Sequence, residues 1–203
     1  MKVGRFTTKF QLSLIVFGLT SIWSSSARAQ NGHTHTQENT QLRADQKQSG
    51  ALIKLVREST ERFKDVSAAR GEGYDLLFGC VSGPDAGAMG LHFVNLKLLN
   101  DVNKNGVFDA THPQIVIYEP TSDGSLRLLG ADYLVFADAW NAKHPNGPPQ
   151  LMGQLFHLFE GPNRFGLPAF YTLHVWAWKE NPNGAFVNWD PNVSCQMFTG
   201  QNR

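Results

Sequence analysis

The sequence has few of the features by which chemistry is most easily inferred from residues. It contains no G-x-S-x-G nucleophile motif, no phosphate-binding glycine loop and no long run of basic residues. It therefore gives no local indication of a serine hydrolase, a nucleotide-binding protein or a nucleic-acid-binding protein. Beyond the N-terminal region, no apolar stretch approaches the roughly 20 residues that a membrane-spanning helix needs.

The N-terminal region has the pattern of a signal peptide. Basic residues come first, the apolar stretch Leu12–Leu19 follows, and Ala27-Arg28-Ala29 supplies the small residues that a signal peptidase requires. We expect residues 1–29 to be removed and the protein to be periplasmic or secreted, the alternative being an uncleaved anchor. Residues 30–48 are polar and predict a flexible leader, and residues 49–203 predict a single globular domain.

The charge of the chain gives no electrostatic reason for a polyanionic partner. Four of the 18 basic residues lie in the predicted signal peptide, so 14 remain against 17 acidic ones, a formal charge of −3. We therefore expect neither nucleic acid nor an anionic membrane as a partner, and no membrane span after cleavage.

The chain has two cysteines, Cys80 and Cys195. Both lie beyond the predicted cleavage point, and exported proteins mature in oxidising compartments, so we expect a disulfide between them. Two free thiols are the alternative.

The pattern of apolar residues predicts an α+β fold that is mainly β. Residues 50–70 show helical periodicity, with Leu52, Val56 and Phe63 on one face. After Tyr74, short apolar runs alternate with turns. We expect one N-terminal amphipathic helix packed on a curled antiparallel sheet, either a barrel or a sandwich. The predicted strands are 91–99, 114–118, 126–136, 151–159, 168–178 and 185–189.

Three histidines fall within predicted strands and on faces that are otherwise apolar. They are His92, His157 and His174, and Glu119 lies on one face of its strand with Ile115 and Ile117. A buried imidazole must find a hydrogen-bond partner or a metal ion. We therefore predict a site for Zn²⁺, Cu²⁺ or Fe²⁺ with these three histidines and Glu119 as ligands. The alternative is that each histidine is satisfied separately within the core, as in a purely structural envelope protein.

A second cation hypothesis concerns residues Asp101–Asp109. Oxygen-bearing side chains at positions 1, 3 and 5, glycine at 6 and aspartate at 9 match the first part of a calcium loop. Position 12 is His112, however, where a calcium loop has glutamate. An asparagine-rich turn between strands is the alternative.

A cluster of aromatic residues near the C-terminus predicts either core packing or a non-metal pocket for a small molecule. The aromatic residues are Phe170, Trp176, Trp178, Phe186 and Trp189.

Asp132 and Asp138 lie on one side of a predicted strand but about 20 Å apart. This separation is too large for the two carboxylates of a glycosidase.

Several stretches resemble a family of small exported bacterial proteins that are uncharacterised. They are Gly79–Pro84, Gly87–Asn95, Tyr118-Glu119-Pro120 and Gly161–Pro168. The resemblance extends from about Phe63 to Cys195. It implies a self-contained family and carries no activity or ligand over to this chain.

Overall fold

The structure is a computed structural model that describes residues 33–200. The predicted signal peptide and the first residues of the predicted leader lie outside this range. The helices are α1 (His33–Thr60), a 3-10 helix (Glu61–Lys64), α2 (Val66–Gly71), α3 (Leu96–Asn105) and α4 (Ala137–Asn141). The strands are β1 (Tyr74–Gly83), β2 (Gly87–Asn95), β3 (Ile115–Pro120), β4 (Leu126–Phe136), β5 (Gln150–Leu151), β6 (Gln154–Leu155), β7 (His157–Phe159) and β8 (Phe170–Val175).

Six strands form one antiparallel sheet in the order β1-β2-β3-β4-β8-β7, and β5 and β6 form a separate pair. The large sheet curls into a half-barrel with β1 and β7 at its edges, so the expectation of a curled, mainly antiparallel sheet is confirmed. Irregular pairing in β1 between Leu77 and Cys80, and between β3 and β4 near Ile117, marks β-bulges. Bulges bend strands and increase their twist, which favours this curl.

The two faces of the sheet have different coverings. Leu52 and Val56 of α1 are fully buried and pack with Ala131, Tyr133 and other residues of one face. Strand β4 alternates, so Asp132 points to the other face. Because both faces are covered, β4 is apolar almost throughout, and this explains why its bounds follow from the sequence.

The helical content is larger than one helix over residues 50–70. Helix α1 begins at His33, within the predicted leader, and the helical segment then divides near Asp65. The Asp65 carboxylate accepts a hydrogen bond from the Ser67 amide and caps α2. A capping aspartate favours an extended backbone at its own position, so it interrupts a helix that the apolar periodicity would continue.

The predicted strand 91–99 is wrong in its second half. Strand β2 ends at Asn95, whose side chain accepts a hydrogen bond from the Leu98 amide and caps α3. Gly106 ends α3 in a left-handed conformation with φ of 72°. The apolar residues after Asn95 belong to an amphipathic helix. A stretch as short as residues 91–99 does not distinguish the periodicity of a strand from that of a helix.

Outside the central strands, several other strand predictions differ from the structure. Residues 151–159 are divided among β5, β6 and β7, and residues 185–189 contain no strand. Strand β1 follows α2 directly and was not predicted, because only part of it is buried. Strands β1 and β7 lie at the edges of the sheet, where exposed residues interrupt the apolar pattern.

The disulfide between Cys80 and Cys195 is present and joins β1 to the C-terminal segment, a separation of 115 residues. It confirms the predicted pairing and is compatible with export. Within residues 33–200, none of the helices has the length and apolarity that a bilayer crossing requires.

Candidate metal centre

Three buried side chains converge on the inner face of the curled sheet. They are His92 on β2, Asp132 on β4 and His174 on β8, here called the buried triad. One ligand atom from each side chain lies within 4.8 Å of the others. His174 is fully buried, and His92 and Asp132 are 7% and 5% exposed. Among the described residues, this is the one such group of metal-ligating side chains.

Strand pairing explains only part of this convergence. Asp132 and His174 are direct cross-strand partners, so their side chains are neighbours. His92 pairs with Ile117 on β3, and β2 and β8 are separated by β3 and β4. On a flat sheet, β2 and β8 would lie about 14 Å apart. The ring centroids of His92 and His174 are 6.3 Å apart, because the curl folds β2 and β8 toward each other.

Gly90 and Gly130 permit close contacts between strands beside the triad. A Cβ atom on Gly90, whose φ is +99°, would lie 2.5 Å from the Tyr118 carbonyl oxygen. A Cβ atom on Gly130 would lie 2.0 Å from the Val175 carbonyl oxygen. Both contacts are shorter than a methyl group allows, so glycine is required at these positions.

His92 is held in one orientation by the backbone. Its Nδ1 lies 3.1 Å from the Gly90 carbonyl oxygen. A carbonyl only accepts hydrogen bonds, so Nδ1 carries the hydrogen and Nε2 keeps its lone pair. Burial lowers the pKa of His92 to about 4, although the bond to Gly90 opposes this effect. His92 is therefore a neutral imidazole with one nitrogen available as a ligand, the state found in metal-binding histidines.

Within residues 33–200, neither ring nitrogen of His174 has a hydrogen-bond partner, and both nitrogens are buried. The ring stacks on Trp176 at 4.5 Å and meets His92 edge-on. Burial, and secondarily the repulsion that a protonated His92 would exert, keep the pKa of His174 well below its ordinary value. A neutral imidazole left without partners in a core costs about 1–3 kcal/mol, and a ligated ion would remove that cost.

Asp132 contributes a carboxylate without a cationic partner. Its Oδ1 accepts a hydrogen bond from the Thr172 hydroxyl. In the described part of the chain, no Lys or Arg forms an ion pair with it. Burial raises the pKa of Asp132 to about 7, against the hydrogen bonds from Thr172 and from backbone amides. A divalent cation would supply the missing positive charge.

The structure places the two remaining predicted ligands outside the triad. Glu119 is buried, and its carboxylate accepts hydrogen bonds from Arg127, from Lys179 and from the Ser194 amide. It joins β3 to the C-terminal segment next to the disulfide. His157 is exposed on the edge strand β7, where it is the cross-strand partner of Thr172 on β8. Of the four predicted ligands, His92 and His174 thus belong to the buried triad.

Asp132 was not among the predicted ligands, although it carries a recognisable signal. It is the one charged residue within the long apolar part of β4, and all its neighbours from Leu128 to Val135 are buried. A carboxylate in such a position must have a compensating partner. The sequence alone did not show that two histidines from other strands would lie beside it.

An apolar pocket opens beside the triad. His92, Asp132 and Thr172 lie in its wall, together with Asn188. The rest of the wall is formed by four phenylalanines and six aliphatic residues, and the cavity volume is about 40 Å³. The pocket therefore offers space next to two of the three candidate ligands. We call it the apolar pocket.

The residues of the predicted calcium loop have other roles. Asp101, Asn103 and Asn105 lie in α3, so they cannot surround one cation as alternate residues of a loop would. Asp101 pairs with Lys97, and the Asn103 side chain bonds to the backbone of Leu99 and Phe136. Asp109 accepts hydrogen bonds from Thr111 and His112 in a turn after the helix.

The C-terminal tryptophans are engaged in separate parts of the molecule. The indole N–H of Trp176 donates to the Val187 carbonyl, and that of Trp178 donates to the Thr60 hydroxyl. Lys64 lies 3.9 Å above the Trp178 ring. Phe170, in contrast, lines the apolar pocket.

No protein-family model matches the chain, and neither a curated protein nor a solved structure gives a match.

Proposed function

We propose that this protein is an exported metal-binding protein whose buried triad, His92, Asp132 and His174, holds one divalent transition-metal ion. One observation carries the proposal. Both ring nitrogens of the fully buried His174 lack a partner, and this ring lies beside a buried carboxylate that has no cation.

The donor set suits a transition metal. Two neutral imidazoles and one carboxylate provide nitrogen and oxygen ligands and one negative charge. Metal–ligand bonds of about 2.0–2.2 Å require all donor atoms to lie close to one ion, and the three donor atoms here lie within 4.8 Å of one another. Small side-chain rotations would bring these atoms to bonding distance of a common ion, and Thr172 and Gly90 already orient two of the three ligands.

Three protein ligands leave coordination positions free, which is typical of catalytic rather than structural metal sites. Two histidines with one carboxylate and open positions are characteristic of Fe²⁺ sites. We therefore propose Fe²⁺ as the preferred ion, with Zn²⁺ as the main competitor. An ion bound here would hold a small molecule at its open positions and polarise it.

The core-packing alternative is disfavoured by His174. It requires each histidine to be satisfied by its own neighbour, and this holds for His92, which bonds to the Gly90 carbonyl. His174 has no such neighbour. A core histidine without a partner is unfavourable, so selection for stability alone does not explain it.

Metal analysis tests the proposal directly. We expect the purified protein, loaded anaerobically with Fe²⁺ or with Co²⁺ as a spectroscopic probe, to bind one equivalent. We expect His174→Ala and His92→Ala to lose it. The control His112→Ala removes an exposed histidine that bonds to Asp109 and should retain the metal.

Two further variants separate the buried triad from the ligand set expected from the sequence. His157→Ala and Glu119→Gln should both retain one equivalent of metal, because neither side chain belongs to the triad. A protein that binds no metal, or that binds equally well after His174→Ala, would refute the proposed function.

A further inference from the structure

The wall of the apolar pocket is divided between one polar end and a larger apolar part. The polar end carries His92, Asp132, Thr172 and Asn188. Everything else is apolar, including Phe78, Phe159, Phe165 and Phe170 among the lining residues. The wall around a ligand in this pocket would therefore be apolar except on the side that faces the proposed metal.

The charges of the wall restrict the class of ligand. Among the described residues that line it, Asp132 is the one acidic residue, and none is a lysine or an arginine. A phosphate or carboxylate ligand would thus lose its hydration without gaining a cationic partner, which is costly. A cationic ligand would meet one carboxylate that is already directed at the metal position. The wall is suited to an uncharged molecule.

The volume restricts the size of the ligand. At about 40 Å³, the pocket exceeds the space that one water molecule needs. It is much smaller than the cavity of roughly 150 Å³ that takes up benzene in a well-studied core variant of another protein. Only a molecule of a few atoms fits without rearrangement of the wall.

The pocket reaches the surface between aromatic side chains. Phe78 lines the pocket and is 50% exposed. It lies in the β1 bulge with φ of 66°, a conformation that large side chains rarely adopt, and contacts Phe165 edge-on at 5.8 Å. Phe165 in turn contacts Phe159 and Phe170. The entrance is thus apolar as well, which favours passage of uncharged molecules.

We infer that the apolar pocket is a binding chamber for a small uncharged apolar molecule of the dioxygen class, placed beside the open positions of the metal in the buried triad. The placement beside a metal rests on the proposed function, whereas the binding of an apolar molecule in the pocket does not. The pocket would concentrate such a molecule next to His92 and Asp132 and exclude charged solutes.

Xenon is the probe that tests the chamber, because it is apolar, similar in size and chemically inert. Metal-free protein in chelator is titrated with xenon under pressure and followed by methyl NMR. We expect saturable shifts at Leu134 and Val94, which line the pocket, and none at the exposed Val107. Benzene should cause no saturable shift, because it exceeds the cavity.

Two variants fill the pocket from different elements. Val81→Phe acts from β1, and Leu167→Trp acts from the half-buried loop before β8. Each should abolish the saturable shifts, whereas the matched control Val107→Phe should retain them. Leu167→Trp decides the question if Val81→Phe does not fold. Shifts that never saturate, or that persist in a folded pocket-filling variant, would overturn the inference.

Metal titration of the same samples separates the two proposals. Metal binding without saturable xenon binding would overturn the chamber and leave the metal site intact. Saturable xenon binding in a protein that binds no metal would refute the proposed function, whereas the inference of a binding chamber would stand.

Discussion

Replacement of Asp132 by asparagine should have opposite effects on stability in the absence and presence of metal. The substitution removes the charge but keeps an oxygen that can accept the hydrogen bond from Thr172. The carboxylate is buried without a cationic partner, so its ionisation opposes folding of the metal-free protein. Asparagine is never ionised and avoids that penalty, but it is a poor ligand for a transition metal.

The magnitude follows from the raised pKa of Asp132. Its pKa is 3.8 in the unfolded chain and about 7 in the folded protein. Its contribution to the free energy of unfolding is therefore fully present below about pH 4 and lost as the pH rises to about 7. The complete loss corresponds to about 4 kcal/mol. About 3 kcal/mol of it falls between about pH 5 and about pH 8.

Chemical denaturation in chelator at these two pH values measures the effect. Asp132→Asn should gain about 3 kcal/mol over the wild type between about pH 5 and about pH 8. His92 and His174 titrate in both proteins, so their direct contributions largely cancel in the comparison. Addition of metal at about 100 times its dissociation constant should stabilise the wild type by about 2.7 kcal/mol and the variant much less.

Opposite effects of Asp132→Asn on stability without and with metal are expected only if Asp132 is a buried metal ligand. A residue that only supports the fold would destabilise on substitution at both pH values and would not change the response to metal. If Asp132→Asn loses the same stability at both pH values, the assignment of an unpaired buried carboxylate is wrong. If metal stabilises the variant as much as the wild type, Asp132 is not a ligand.

Three further outcomes test other parts of the structure. Replacement of Cys80 and Cys195 by serine should lower the free energy of unfolding by about 5 kcal/mol, on the chain-entropy model for a loop of 115 residues, as measured by urea denaturation. Burial alone would raise the pKa of Glu119, but its hydrogen bonds and the charge of a nearby lysine lower it. Its stabilising contribution is present above the unfolded pKa and lost as the pH falls through the folded one, so Glu119→Gln should destabilise at neutral pH and have little effect in acid. Tyr118→Phe removes a buried hydroxyl that donates to the Phe63 carbonyl and should cost about 1–3 kcal/mol in thermal or urea unfolding; an unchanged midpoint would contradict this hydrogen bond.

The buried faces of His92 and His174 could be predicted, because alternation is a local property, whereas the same argument was wrong for His157, which is exposed. Side chains alternate along a strand, so the apolar neighbours of His92 and His174 already placed both on a buried face. Glu119 shares its alternation with Ile117 and is buried. The alternation did not show that Lys179, 60 residues distant in sequence, would reach the Glu119 carboxylate.

Other features depended on competition between local signals. Residues 91–99 contain a strand and the start of a helix, and the capping hydrogen bond of Asn95 decides where one ends and the other begins. The calcium-loop pattern of Asp101–Asp109 is a consequence of the same misassignment. Once α3 extends to Asn105, the oxygen-bearing side chains point in different directions around a helix.

The sequence by itself determined the disulfide partners and the curled antiparallel character of the sheet, and it placed His92 and His174 on buried faces. Composition and alternation are sufficient for these, because they do not depend on which strands are neighbours. Only the tertiary structure decided that Asp132, and not His157 or Glu119, completes the group. That choice depends on strand order and on the curl that brings β2 to β8, and both arise from contacts between residues far apart in the chain.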